Sequence, residues 1–146
     1  MTRPAIPRQP EFLIQLRQTQ HAVRNLLDAG LAGTGLTMPQ YAVLAEIGEK
    51  GELSASDLAR EIGMTAQTVN VLVQGLETSG LLSRSRHPTH GRILLASLTP
   101  AGRKALRQGV EVAAGVQDKL LSCVPAAERP RLLRQLKAIE QASAGG

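Results

Sequence analysis

The sequence predicts a mainly α-helical fold carrying one small β-hairpin. Three observations predict it. Apolar residues recur at helical spacings of three, four and seven along most of the chain. One stretch, residues 81–98, breaks that period with two short apolar-rich runs around a turn-rich tip. Aromatic residues make up only 1% of the 146 residues, with Phe12 and Tyr41 standing alone. An aliphatic core of Leu, Val, Ile and Ala favours helix-on-helix packing over a β-sandwich.

Residues 1–10 contain Pro4, Pro7 and Pro10 and read as a flexible arm. A first helix starts at Glu11 and carries Phe12, Leu13, Leu16, Val23, Leu26 and Leu27; the Gly-rich stretch 29–36 ends it. Thr37 reads as the N-cap of a second helix, with Pro39 in the first turn and Gln40 three residues after the cap. Tyr41, Val43, Leu44 and Ile47 line that helix, and Gly48 to Gly51 close it. Ser54 or Ser56 caps a third, short helix with Leu58, Ala59 and Ile62, which Gly63 ends. Thr65 caps a fourth helix with Val69, Leu72, Val73 and Leu76 on its apolar face, and Gly80 stops it. Residues 81–86 and 93–98 are strands, and His87-Pro-Thr-His-Gly91 is the tip between them. Thr99-Pro100 opens a long fifth helix with an Ala-rich apolar face. Pro125 opens a sixth with Leu132, Leu133, Leu136 and Ile139, and residues 143–146 read as a flexible tail.

Charge narrows the partners. The net charge is +5 and the pI about 10.1, which calls for an anionic partner. No apolar run approaches the roughly 20 residues of a membrane span. The N-terminal residues lack a secretory apolar stretch, and the single cysteine, Cys123, suits a reducing compartment. The expectation is a cytoplasmic protein with no membrane partner, associated with the nucleoid when bound to DNA.

The third and fourth helices, joined through Gly63, have the spacing of a helix-turn-helix, with Leu58, Ile62, Val69 and Leu76 packing the pair. The face of the fourth helix left free carries Gln67, Asn70, Val71 and Gln74, with Thr65 and Thr68 at its start and no acid among them. Amide side chains pair a donor with an acceptor, as the N6 and N7 edge of adenine requires, and Val71 suits a thymine methyl. The two threonine hydroxyls suit phosphate or base. Taken alone, such a stripe is equally what a solvated helix surface carries. The flanking charge tips the balance. No acid lies between Glu77 and Glu111, whereas Arg84, Arg86 and Arg92 sit in the hairpin with His87 and His90. A basic hairpin directly after a recognition helix is a wing, placed to reach phosphates or the minor groove. Thr37, Ser54 and Ser56, at the starts of the second and third helices, are further candidates for backbone contacts.

With Gly80-Leu-Leu-Ser-Arg84, then Gly91-Arg92, then Leu98-Thr99-Pro-Ala-Gly102, the chain resembles the MarR (multiple antibiotic resistance regulator) family from the first helix to the sixth. The resemblance implies a homodimeric winged helix-turn-helix regulator, by default a repressor. Its fourth helix would enter the major groove, and the arginine matching Arg92 the minor groove. Two positions depart from the family pattern. His90 stands where an Asp usually steadies the wing through arginine pairing, and Val71 stands where a helix-4 arginine is frequent.

On this reading residues 11–36 form a dimerisation helix, residues 37–100 the DNA-binding domain and residues 101–142 two further dimerisation helices. The dimer would present its two recognition helices to a pseudo-palindromic operator on double-stranded DNA. The resemblance also implies a small anionic or phenolic effector in a cleft between the dimer helices and the DNA-binding lobe, with Arg17 and His21 as candidate contacts. Two alternatives remain: a winged-helix adaptor for protein partners, and a redox-responsive regulator acting through Cys123. Against the second, Cys123 sits among Leu120, Leu121 and Val124, where a buried, inert thiol is expected. His87 and His90 without neighbouring carboxylates or cysteine fall short of a metal site. No phosphate loop, nucleophile motif or catalytic residue is recognisable, so neither an enzyme nor a cofactor is expected.

Overall fold

The computed structural model describes residues 7–144. Residues 1–6 of the expected arm, and residues 145–146 of the expected tail, lie outside the described residues. The elements run α1 (Glu11–Leu31), α2 (Met38–Lys50), β1 (Leu53–Ser54), α3 (Ala55–Ile62), α4 (Ala66–Thr78), β2 (Leu82–Arg86), β3 (Leu94–Leu98), α5 (Pro100–Leu121) and α6 (Arg129–Ala144), with single 3-10 turns after α1 and before α6.

Local chemistry explains most boundaries. Thr37 and Gln40 form a reciprocal capping box at the start of α2: the Gln40 N–H donates to the Thr37 hydroxyl and the Thr37 N–H to the Gln40 side chain. Ser54 and Asp57 do the same for α3, which settles the cap on Ser54 rather than Ser56. Thr99 caps α5 by accepting from the Gly102 N–H, with Pro100 in the first turn.

Four expectations are corrected. Helix α1 does not stop at residue 29 but continues through Gly30 to Leu31. A side chain at Gly30 would begin 2.7 Å from the Val112 Cγ1, so the glycine serves close packing of α1 on α5 rather than a helix end. The sheet has three strands in the order β1-β3-β2, because Leu53 and Ser54 pair with Ala96 and Leu95; two residues are too few to show a strand period. Pro125 starts only the 3-10 turn Ala126–Glu128, and α6 begins at Arg129, where Pro130 is tolerated in the first turn. Helix α6 includes Ser143 and Ala144, whose placement in the tail came from composition alone.

The core lies between α2, α3, α4 and the sheet. Leu36, Val43, Leu44, Ile47, Leu58, Val69, Val73, Leu76, Leu82 and Ala96 are buried together there. Each fully buried Leu or Val contributes about 1.5–3 kcal/mol relative to exposure, which makes this lobe a rigid support for the outer face of α4. In contrast, α6 buries no residue, and Leu133 and Leu136 remain 55% and 47% exposed.

Candidate nucleic-acid interface

Turn chemistry first sets the angle between α3 and α4. Gly63 takes φ +66°, a left-handed conformation that terminates α3, and the Met64 N–H closes back on the Ala59 carbonyl at 3.1 Å. Thr65 then caps α4 by accepting from the Thr68 N–H, and the two threonine hydroxyls lie 2.8 Å apart. Val69, Val73 and Leu76 anchor α4 to the core. Periodicity therefore turns Gln67, Thr68, Asn70, Val71 and Gln74 outward, and all five are exposed.

Strands β2 and β3 form the wing in continuous antiparallel register from Leu82–Leu98 to Arg86–Leu94. Its base is locked to α5, because the Thr99 hydroxyl donates to the Gly80 carbonyl at 2.6 Å and the Thr99 N–H to Leu81 at 3.2 Å. Its tip is organised by His87, whose Nδ1 accepts the backbone N–H groups of Thr89 and His90, each at 3.2 Å. An acceptor at Nδ1 places the ring proton on Nε2. The His87 and His90 rings lie 5.1 Å apart, centroid to centroid. His87 thus supplies the local acceptor at the tip. Its role was missed because only a folded turn brings an imidazole back over its own following amides.

The wing arginines are not equivalent. Arg84 is held by Glu77, with Nη2 at 2.5 Å and Nε at 2.8 Å from the same carboxylate oxygen. That pair ties the last turn of α4 to β2 and neutralises Arg84. Arg86 and Arg92 are exposed and, among the described residues, form no ion pair. The sequence marks Glu77 only as the last acid before the basic stretch; its pairing across the turn is a tertiary fact.

Between α3, α4 and the wing runs a concave surface lined by Ser54, Ser56, Asn70, Arg84, His87 and Arg92. The fold thus brings the helix-3 hydroxyls, Asn70 of the amide stripe and the wing arginine onto one surface. Thr37 lies elsewhere, occupied as a cap. Glu52 and Asp57 also line this surface; the Asp57 carboxyl is held below the ordinary range, chiefly by the Ser54 hydroxyl, then by the Ser54 N–H and the nearby Arg60 guanidinium, against an opposing effect of burial.

Arg17 and His21 are exposed on α1, with His21 hydrogen-bonded to Asn25. Neither lines the apolar groove of about 810 Å³ between α1, α2, α5 and α6, which is formed by Val23, Leu27, Tyr41, Val116, Leu120 and Leu132 among others. Burial raises the Tyr41 hydroxyl pKa there. Cys123 is exposed, not buried as expected, because it follows the last turn of α5 where no other element covers it. No described helix is long and apolar enough to cross a membrane.

Comparison with known proteins agrees with this geometry. The MarR family model matches residues 34–93, from just before α2 to the start of β3. A probable transcriptional regulator from Pseudomonas aeruginosa has a solved structure 34% identical to this chain, with a TM-score of 0.79 over 88% of this chain and 96% of its own. The chain belongs to the MarR family. Its MarR relatives include the HTH-type transcriptional repressor Rv2887 of Mycobacterium tuberculosis, 28% identical over 80% of this chain and 84% of the relative. A crystal structure of that MarR protein, in complex with salicylic acid, has a TM-score of 0.73 at 26% identity, covering 90% of this chain and 97% of its own. The MarR fold here is a winged helix-turn-helix, with α3 and α4 as its helical pair and β2–β3 as its wing, and the protein is a transcriptional regulator.

Proposed function

We propose that this regulator is a homodimeric repressor that binds a pseudo-palindromic operator on double-stranded DNA and is released by a small anionic or phenolic effector. One observation carries the DNA reading: an exposed face of α4 that holds amides and a valine but no charge, beside a wing whose Arg86 and Arg92 have no carboxylate partner among the described residues. Such a surface reads bases with α4 while the wing supplies phosphate or minor-groove contacts. Thr65, Gln67, Thr68, Asn70, Val71 and Gln74 are the proposed major-groove residues. Arg86, His87, His90 and Arg92 are the proposed wing contacts, with Arg84 acting through its hold on Glu77. Ser54 and Ser56 border the same surface.

Dimerisation is supported by what one chain leaves in water. Phe12 and Leu13 of α1 are 55% and 58% exposed, and Leu133, Leu136 and Ile139 of α6 are exposed as well. A second copy covers such helical faces and sets two recognition helices one DNA turn, roughly 34–36 Å, apart. The relative named a repressor, and its structure with salicylic acid, support repression and an effector. The groove of about 810 Å³ lies within the size range of ligand sites. In place of Arg17 and His21, the groove residues Val23, Leu27, Tyr41 and Val116 are the proposed effector contacts.

Titrating salt against binding to a fluorescent duplex, with sedimentation of the free protein, tests this reading. A dimer whose log K falls with log[salt] by several units is expected. A monomer, or a protein indifferent to duplex DNA at low salt, refutes it.

A further inference from the structure

Resting on the reading that α4 enters the major groove, we propose that each operator half-site is read as a block of about three to four consecutive A·T pairs, without a guanine contact from α4. Gln67, Asn70, Val71 and Gln74 follow one another at i, i+3, i+4 and i+7, which makes a single stripe. At 1.5 Å of rise per residue the stripe is roughly 10 Å long, about three base-pair steps of 3.4 Å.

Each base-pair edge makes its own chemical demand. Guanine presents two acceptors, N7 and O6, and is met by the cationic forks of Arg or Lys. Helix α4 contains no cation at all. The arginines nearest its ends are tied: Arg84 to Glu77 and Arg60 to Asp57. Adenine presents an acceptor beside a donor, and an amide answers both at once. The stripe carries three such amides, all exposed.

Val71 decides the pyrimidine. It is the most exposed large apolar side chain of α4, at 66%. Against thymine its isopropyl group meets the C5 methyl. Against cytosine it would cover the N4 amino donor and leave it unpaired, which is unfavourable. Gly75, beside Gln74, adds no side chain that could read a further base.

The test is selection of randomised duplexes by the full-length protein, followed by analogue substitution in the best site. Runs of A·T in both half-sites are expected. Replacing the thymine opposite Val71 by uracil removes one methyl and should weaken wild-type binding by about fourfold per half-site. The V71A variant should lose less than about twofold on the same change. The exposed position of Val71 keeps the variant folded, and the uracil result on the wild type stands without it. A selected G·C pair within the block whose preference shifts in Q67A or N70A overturns the proposal and leaves the DNA-binding reading intact. So does a wild-type protein indifferent to the uracil change. Failure to retain any duplex at low salt overturns the DNA-binding reading itself.

Discussion

Replacing Gly102 by Ala tests the junction that aims the wing. Gly102 is buried in the first turn of α5. A Cβ built there would collide with the backbone carbonyl oxygen of Leu81, 3.0 Å from the carbonyl carbon and 3.4 Å from the Leu98 Cδ2. A carbonyl at the start of a paired strand cannot swing away as the tip of a long side chain can. The helix and strand must therefore separate by on the order of 1 Å to restore ordinary contact. Overpacking of this kind costs about 1–3 kcal/mol. The same separation stretches the bonds from Thr99 to the Gly80 and Leu81 carbonyls, and losing one costs about 1 kcal/mol. The higher helix propensity of Ala returns up to about 1 kcal/mol. The net expectation is a loss of about 1–3 kcal/mol. The control is Gly75→Ala, the same chemical change on α4 with nothing within 4 Å of the new carbon, which should stabilise by up to about 1 kcal/mol. Urea unfolding followed by circular dichroism, at one fixed protein concentration, measures both. If Gly102→Ala matched the wild type within about 0.5 kcal/mol, the close approach of α5 to the wing base would be refuted.

Further expectations concern the wing, the dimer and acid stability. Arg92→Ala should weaken operator binding by about 1–3 kcal/mol and reduce the salt slope by about one; fluorescence anisotropy across a salt series that showed neither change would remove Arg92 from the interface. Leu136→Asp places a charge on the exposed apolar face of α6. Sedimentation should find a monomer with weakened DNA binding, and an unchanged dimer would place the dimer contact elsewhere. Ser54→Ala removes the α3 cap and should cost about 1 kcal/mol at neutral pH. It also removes the main cause of the lowered Asp57 pKa, so that pKa should rise toward the ordinary carboxylate value in an NMR titration. The folded-state Asp57 pKa lies below its unfolded value. The stability linked to it is therefore present above the ordinary aspartate range and lost as pH falls through the lower, folded-state pKa. The gap between wild type and Ser54→Ala should narrow only in that acid window.

Local sequence rules determined a large part of this molecule. Thr37 with Gln40, Thr65 and Thr99-Pro100 are caps whose partners lie three residues away, so one segment contains the whole interaction. The amide stripe was equally legible, because burying Val69, Val73 and Leu76 turns Gln67, Asn70, Val71 and Gln74 outward on any α-helix. What only the tertiary structure decided is every feature whose partners are distant along the chain or meet only once a turn has closed. The pairing of Arg84 with Glu77, the acceptance of two amides by His87, the strand at Leu53–Ser54 and the exposure of Cys123 are of that kind. Gly30 shows the limit most plainly: a segment-level rule reads it as a helix end, whereas in the structure it is helical and packs against α5, with the Val112 Cγ1 2.7 Å from where a side chain would begin. Periodicity and capping depend on neighbours within one helical turn, whereas charge pairing and close backbone approach depend on how elements are set against one another in space.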